Sequence, residues 1–210
     1  MMVDRGARRR ERTRASLLEG ARRVIAAKGF DAATITEITG AADVGFGSFY
    51  NHFESKDELL RVLVTGAVDA HGRTIDGLMA DESDPARLVA AGVIHTVAMA
   101  EHDPFWAWFM VRTGFGEHSE LGAPLLVRLF RDVGRGAASG RFPIDDVVTS
   151  VASVSGATWA VIRARLAGAA APEAGRLLAE GALRLLGLRA ADARRVVATV
   201  IALPVTEAVS

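Results

Sequence analysis

The sequence predicts an all-α protein with a small N-terminal head and a larger helical body. Three observations carry that reading. Residues 34–60, TITEITGAADVGFGSFYNHFESKDELL, read as two short helices on a tight turn followed by the start of a third. Elsewhere apolar residues recur at helical spacing, and nowhere do they alternate long enough to make a strand. Asp84-Pro85 and Asp103-Pro104 each place a capping aspartate before a proline at the first helical position.

The elements follow in order. Leu17, Leu18, Ala21, Val24 and Ile25 form one apolar stripe, ending at Lys28-Gly29, where Gly29 serves as a C-cap. Thr34 and Glu37 make a capping box that opens a second helix, whose Ile35, Ile38 and Ala42 face inward. Gly40 weakens that helix, Asp43 tolerates the turn, and Val44 plugs the core behind it. A third helix spans about 45–51, with Phe49 and Phe53 on the inner side. Ser55 and Glu58 form a second capping box, before a helix carrying Leu59, Leu60 and Leu63. Beyond it, helices are expected near 57–79, from 85, from 104, and near 121–137, 145–167, 172–187 and 190–202. The expected division is a head at 1–55 and a body at 56–210.

Composition bounds the function. Half of the 210 residues are hydrophobic, enough for a substantial core. There is no cysteine, hence no disulfide framework and no cysteine–zinc site. The formal charge is zero, which argues against a general nucleic-acid coat protein. Between Arg5 and Arg23, however, stand eight arginines and two glutamates, a local patch suited to phosphates or a minor groove. The longest uncharged run, between Asp146 and Arg163, is short for a membrane span. The basic N-terminus leads into an amphipathic helix, not an apolar signal core. The expectation is a soluble, cytoplasmic protein with no membrane partner.

A helix–turn–helix of this size presents a short helix to the major groove of DNA. The segment resembles the DNA-binding head of the TetR family of transcriptional regulators. The likeness rests on Gly29, Phe30, Thr34, Ile35, Ile38, Ala42, Val44, Gly47, Ser48, Tyr50, His52, Phe53, Ser55, Lys56 and Leu59. It covers the first quarter of the chain, and Tyr50-Asn51-His52-Phe53 followed by Ser55-Lys56 is its most specific part. Four positions depart from the family pattern: Ala33, Thr39, Asp43 and Gly45. Phe46, Gly47, Ser48 and Asn51 are expected to face base edges, Phe46 toward a thymine methyl and Asn51 toward adenine. Thr34, Ser48, Tyr50, His52 and Lys56 are expected to anchor phosphates.

Two features of the body point to function. Between Pro104 and Phe115 the chain is dense in aromatic residues. His95, Met99, His102, Trp106, Trp108, Phe109, Arg112, Phe115 and Trp159 are the candidates to line an effector pocket, which the resemblance implies in this region. Ordinary core is the competing reading for each. Arg112 can pair with an anionic ligand or with Glu101, Asp103 or Glu117. The second feature is a ladder of small residues, Ala152, Gly156, Ala160, Ala164 and Gly168, at helical spacing. With Ala174, Leu178, Gly181 and Leu185 it suits close helix approach, either within a subunit or in the homodimer that the resemblance implies.

Catalytic readings fail. Ser139 lacks the context of a nucleophile elbow, no glycine-rich phosphate loop occurs, and the histidines make no metal set. No cofactor and no metal are expected, and the chain is not read as an enzyme. The reading is a homodimeric repressor on a palindromic operator in double-stranded DNA, released by a small, mostly apolar effector. The alternatives are a DNA-binding dimer without an effector, and a small enzyme or carrier that keeps the head as scaffold.

Overall fold

The computed structural model describes residues 5–113 and 123–200, and every regular element among them is a helix. The chain divides into two compact units, Met1–Ala67 and Val68–Ser210. The division falls inside a long helix, because that helix buries Leu59, Leu60 and Val64 in its first turns.

The head contains α1 (Arg5–Lys28), α2 (Ile35–Ala41), α3 (Phe46–Tyr50) and the start of α4 (Lys56–Leu78). Its core is Leu17, Ala21, Ile25, Ile38, Phe49 and Phe53. Helices α1 and α2 touch backbone to backbone at Gly20. A Cβ there would stand 2.8 Å from the Ile38 carbonyl oxygen and 2.9 Å from the Ala42 nitrogen, so only glycine fits. Helix α1 ends at Gly29 with φ +81°, the left-handed cap that the sequence predicts. The Thr34 hydroxyl accepts from the Glu37 N–H at 3.3 Å, and the Thr34 N–H donates to the Glu37 carboxylate at 3.0 Å. Asp43 holds the turn with φ +55°, a conformation its short polar side chain tolerates. Val44 is only half-buried. Gly45 caps α3 without a side-chain bond. The second capping box forms by half: Ser55 accepts from the Glu58 N–H at 3.1 Å, while the Glu58 carboxylate turns to the Glu54 N–H.

The body holds the rest of α4, then α5 (Pro85–His102), α6 (Pro104–Thr113), α7 (Ala123–Ala138), α8 (Val147–Leu166), α9 (Ala174–Leu185) and α10 (Ala190–Thr199). Helix α5 is central, in contact with α6, α7, α8, α9 and α10. It is accordingly apolar on nearly every side. Both Asp-Pro starts fall where the sequence puts them. Asp84 accepts from the Ala86 N–H at 3.0 Å, and Asp103 from the Phe105 N–H at 3.0 Å. Asp84 also takes two bonds from Arg141, at 2.9 and 3.0 Å. By length and composition α8 is apolar enough to cross a membrane, although its uncharged run reads as short in sequence. Its apolarity has another use here: Val151, Val154 and Ile162 are buried, and a strip of small residues faces out.

Candidate functional site

On the head, α3 carries one exposed face. Phe46 and Tyr50 are 53% and 55% exposed and meet edge to face, with ring centroids 5.8 Å apart. Gly47 and Asn51 are also exposed, Ser48 is half-buried, and Phe49 is buried against Phe53. Beside this face lies a polar hollow, lined by Arg9, Arg10 and Thr13 of α1 with Ser48, Asn51 and His52. Arg10 donates to the Asn51 carbonyl at 3.2 Å, tying the basic stretch of α1 to the end of α3. Partial burial, then the charges of Arg10 and Arg14, hold His52 below its ordinary pKa. At neutral pH it is therefore a hydrogen-bonding group and not a cation.

Two expected phosphate anchors have other employment. Lys56 donates to the carbonyls of Phe30 at 2.9 Å and Ala33 at 3.0 Å, and its ammonium sits 4.3 Å from the Phe30 ring centroid. It ties α4 to the loop after α1, where the Phe30 carbonyl also accepts from the Ala33 N–H at 3.1 Å. The Thr34 hydroxyl is taken up with Glu37, donating to its carboxylate at 2.7 Å. The hydrogen bond from Lys28, then those from Thr34, hold Glu37 down at about 2.

The body contains a cavity of about 100 Å³ between α4, α5, α6, α7 and α8. Its apolar lining includes Ile75, Leu88, Val93, Met110, Val154 and Trp159; its polar lining includes His71, Thr96, Arg128, Asp132, Ser155 and Thr158. The charges there are already matched. Arg128 donates to Asp76 at 2.9 Å, and Arg131 reaches Asp76 at 3.2 Å and Asp132 at 2.8 Å. The Arg128 guanidinium lies on the bare backbone of Gly72, where a Cβ would come within 2.1 Å of it.

Of the residues singled out in sequence, Trp159 lines this cavity. His95 and Trp106 stand behind it, both buried and both packed on His71, at 4.9 and 4.5 Å between ring centroids. Phe109 is core against Trp106. Met99 and Trp108 are half-buried and outside the lining, and exposed His102 is hydrogen-bonded to the Ala98 carbonyl at 2.8 Å. The aromatic run thus builds the wall's backing. The Arg112 side chain and Phe115 lie outside the described residues. Of the acids offered to Arg112, Glu101 pairs with Arg165 at 2.6 Å and Asp103 caps α6.

Sequence reading missed His71, Gly72 and Ile75 of α4, and the contribution of α7. A signal existed: His71 falls on the buried stripe of α4 in register with Val64, Val68 and Ile75. A histidine on such a stripe needs a polar reason.

The small-residue ladder of α8 faces outward: Ala152 and Ala160 are exposed, Gly156 and Ala164 half so. On the neighbouring α9, Leu178 and Ala174 are buried within the subunit. The outward strip of α9 is Leu177, Gly181 and Leu185, displaced by one residue because Leu178 packs inward.

Comparison with known proteins fits both units. Residues 17–63 match the model of the tetR family of bacterial regulatory proteins, and residues 84–199 match the tetracycline-repressor-like C-terminal domain. The transcriptional repressor DhaR of Mycobacterium sp. (strain GP1) is 36% identical over 72 residues, a match spanning 34% of this chain and 36% of that relative's length. The crystal structure of RolR in complex with resorcinol is 31% identical, covers 92% of this chain and 96% of its own, and superposes with a TM-score of 0.73. SmeT, the repressor of a Stenotrophomonas maltophilia multidrug efflux pump, shares the fold at 20% identity and a TM-score of 0.68, over 81% of this chain and 88% of its own. With both halves matched in order along the sequence, the chain belongs to the TetR family of transcriptional regulators.

Proposed function

We propose that this chain is a ligand-responsive DNA-binding repressor, which acts as a cytoplasmic homodimer on a palindromic operator and leaves it when a small, mostly apolar effector fills the body. The observation that carries this reading is the cavity. Apolar side chains make up much of its lining, and its charged groups are already neutralised by one another. Its volume, about 100 Å³, suits a single ring. RolR, alike over nearly the whole chain, is known with resorcinol bound.

In this reading Phe46, Gly47 and Asn51 meet base edges. Tyr50 and the hollow at Arg9, Arg10, Ser48 and His52 hold phosphates. Helix α4 begins in the head and lines the cavity at His71 and Ile75, so an effector touches the element that carries the reading head. The outward strips of α8 and α9 make the dimer, since small residues let helices approach closely. Gly156→Leu is then expected to yield monomer by light scattering, overpacking costing about 1–3 kcal/mol per site. A folded dimer of that variant would assign the strip another role.

The effector reading is tested by melting and by indole fluorescence, with resorcinol as probe. A ligand that binds only the folded state stabilises it by about 2.7 kcal/mol at a hundredfold excess over Kd. Both the melting temperature and the emission of Trp159 are expected to change. A panel of single-ring compounds that moves neither would favour the repressor without an effector.

A further inference from the structure

Helix α3 exposes one ring that takes no part in the core of the head. Phe46 is 53% exposed, yet it is held in place. Tyr50, one helical turn on, meets it edge to face, with ring centroids 5.8 Å apart and planes at 66°. Tyr50 in turn stands edge-on to Phe49 at 5.3 Å, and Phe49 packs on Phe53 at 5.7 Å. Phe49 and Phe53 are buried. Four rings therefore run in contact from the core to the surface, in the tilted and edge-on arrangements that aromatic quadrupoles prefer. Phe46 is the outer end of that run.

The space around this ring is clear. Gly45 and Gly47 flank it in sequence. A Cβ at Gly47 meets nothing within 4 Å, and one at Gly45 meets only the Ser48 hydroxyl oxygen, at 4.0 Å. Neither neighbour carries a side chain to hold the ring away from a surface that approaches α3.

A phenyl ring has no conventional hydrogen-bonding group, so it gains chiefly from apolar contact. Among its polar base edges the major groove offers one apolar group, the C5-methyl of thymine. Cytosine presents an amino donor beside a bare C5 carbon, and uracil differs from thymine by the methyl alone. Taking α3 as the helix that enters the major groove at each half of a two-fold operator, we propose that Phe46 recognises a pyrimidine C5-methyl group in each half-site, and that Tyr50 is the residue that positions its ring. The site then prefers thymine to uracil, and 5-methylcytosine to cytosine. This role uses the Tyr50 ring and leaves its hydroxyl to a phosphate.

The test uses the full-length protein and an operator selected from random DNA, with binding read by fluorescence anisotropy. Thymines are replaced by uracil one position at a time, symmetrically in both half-sites. Loss of the methyl at one such position is expected to weaken binding about tenfold, the burial of one methyl group counted twice. With a C·G pair there, 5-methylcytosine is expected to bind more tightly than cytosine by a similar factor. Phe46→Ala is expected to bind the thymine and uracil operators alike. Tyr50→Phe keeps the ring and is expected to keep the preference, whereas Tyr50→Ala is expected to lose it. Both side chains are more than half exposed, so their truncation leaves the core intact, and the uracil scan requires no variant. A parent protein indifferent to every uracil, or a Phe46→Ala protein that still prefers thymine, would overturn the methyl contact while leaving the protein a DNA-binding one. A preference undiminished in Tyr50→Ala would overturn the positioning role. Failure of the selection to yield any bound duplex would overturn the proposed repressor function together with it.

Discussion

The head and the body use their polar groups in opposite ways. In the head, the polar side chains around the reading helix are largely spent on the head itself: Thr34 and Glu37 on each other, Lys56 on two carbonyls, Arg10 on the end of α3. What remains exposed is the face proposed to meet DNA. In the body, apolar helices leave a void, and His71 in its lining has a buried Nδ1 without a partner. A surface that must match a rigid duplex gains from side chains fixed in advance.

The sharpest way to break that contrast is with glycines. Gly20 sits where any Cβ meets backbone, whereas a Cβ at cavity-lining Gly92 meets nothing within 4 Å. Gly20→Val is expected to cost the head about 3 kcal/mol in urea denaturation. Gly92→Leu is expected to leave stability within about 1 kcal/mol of the parent, glycine being a poor helix former, while excluding single-ring ligands. Equal destabilisation by the two would mean that the cavity is packed as tightly as the head.

Lys56→Ala comes next. With its ammonium engaged by the Phe30 and Ala33 carbonyls, the loss is expected in stability, about 2 kcal/mol, with the salt slope of DNA binding unchanged. A folded variant whose salt slope falls by one contact would return Lys56 to the phosphates.

Acid should take the two units apart in order. The His71 pKa is lowered in the fold from 6.5 to about 3, so the unfolded chain takes up the proton first. That share of stability is whole above pH 6.5 and is lost as the pH falls toward 3. The Glu37 pKa is lowered from 4.5 to about 2, so its contribution is whole above pH 4.5 and is lost as the pH falls toward 2. Hydrogen exchange, corrected for intrinsic rates, is expected to show body amides losing protection between pH 6 and 5 while head amides hold. Simultaneous loss would say that burial of His71 costs the body little.

The smallest effect on stability is expected of Asn51→Ala. Its side chain stands at the exposed end of α3 and has no part in the head's core. Discrimination among DNA sites is expected to fall by about 1–3 kcal/mol, with non-specific binding intact. Uniform weakening across sequences would make Asn51 a backbone contact.

The same contrast explains what could be read from the sequence. The head was legible because its determinants are local: caps lie three residues apart, Gly29 and Asp43 are set by their own turns, and Phe49 packs on Phe53 four residues on. The body's helices were legible for that reason too, from the Asp-Pro starts at 85 and 104. The cavity was not. Its wall gathers His71, Thr96, Arg128 and Thr158 from four helices, and no spacing along the chain records that meeting. The aromatic run at 105–109 drew attention to the right layer but to its far side, since large rings fill space more readily than they leave it. The reach of Lys56 to two carbonyls was not legible either, because it depends on a loop more than twenty residues earlier, while a lysine at a helix N-terminus suggests an anion.

The central claim is that the cavity and the DNA face are coupled, and fluorescence anisotropy of a labelled operator, selected from random DNA, measures that most directly. Titrated with the dimer in the presence and absence of saturating resorcinol, the operator is expected to bind at least about tenfold more weakly with the ligand present, within the usual range of coupling between two sites. Resorcinol that raises the melting temperature yet leaves operator affinity unchanged would make the cavity a binding site without a switch, and would contradict the account.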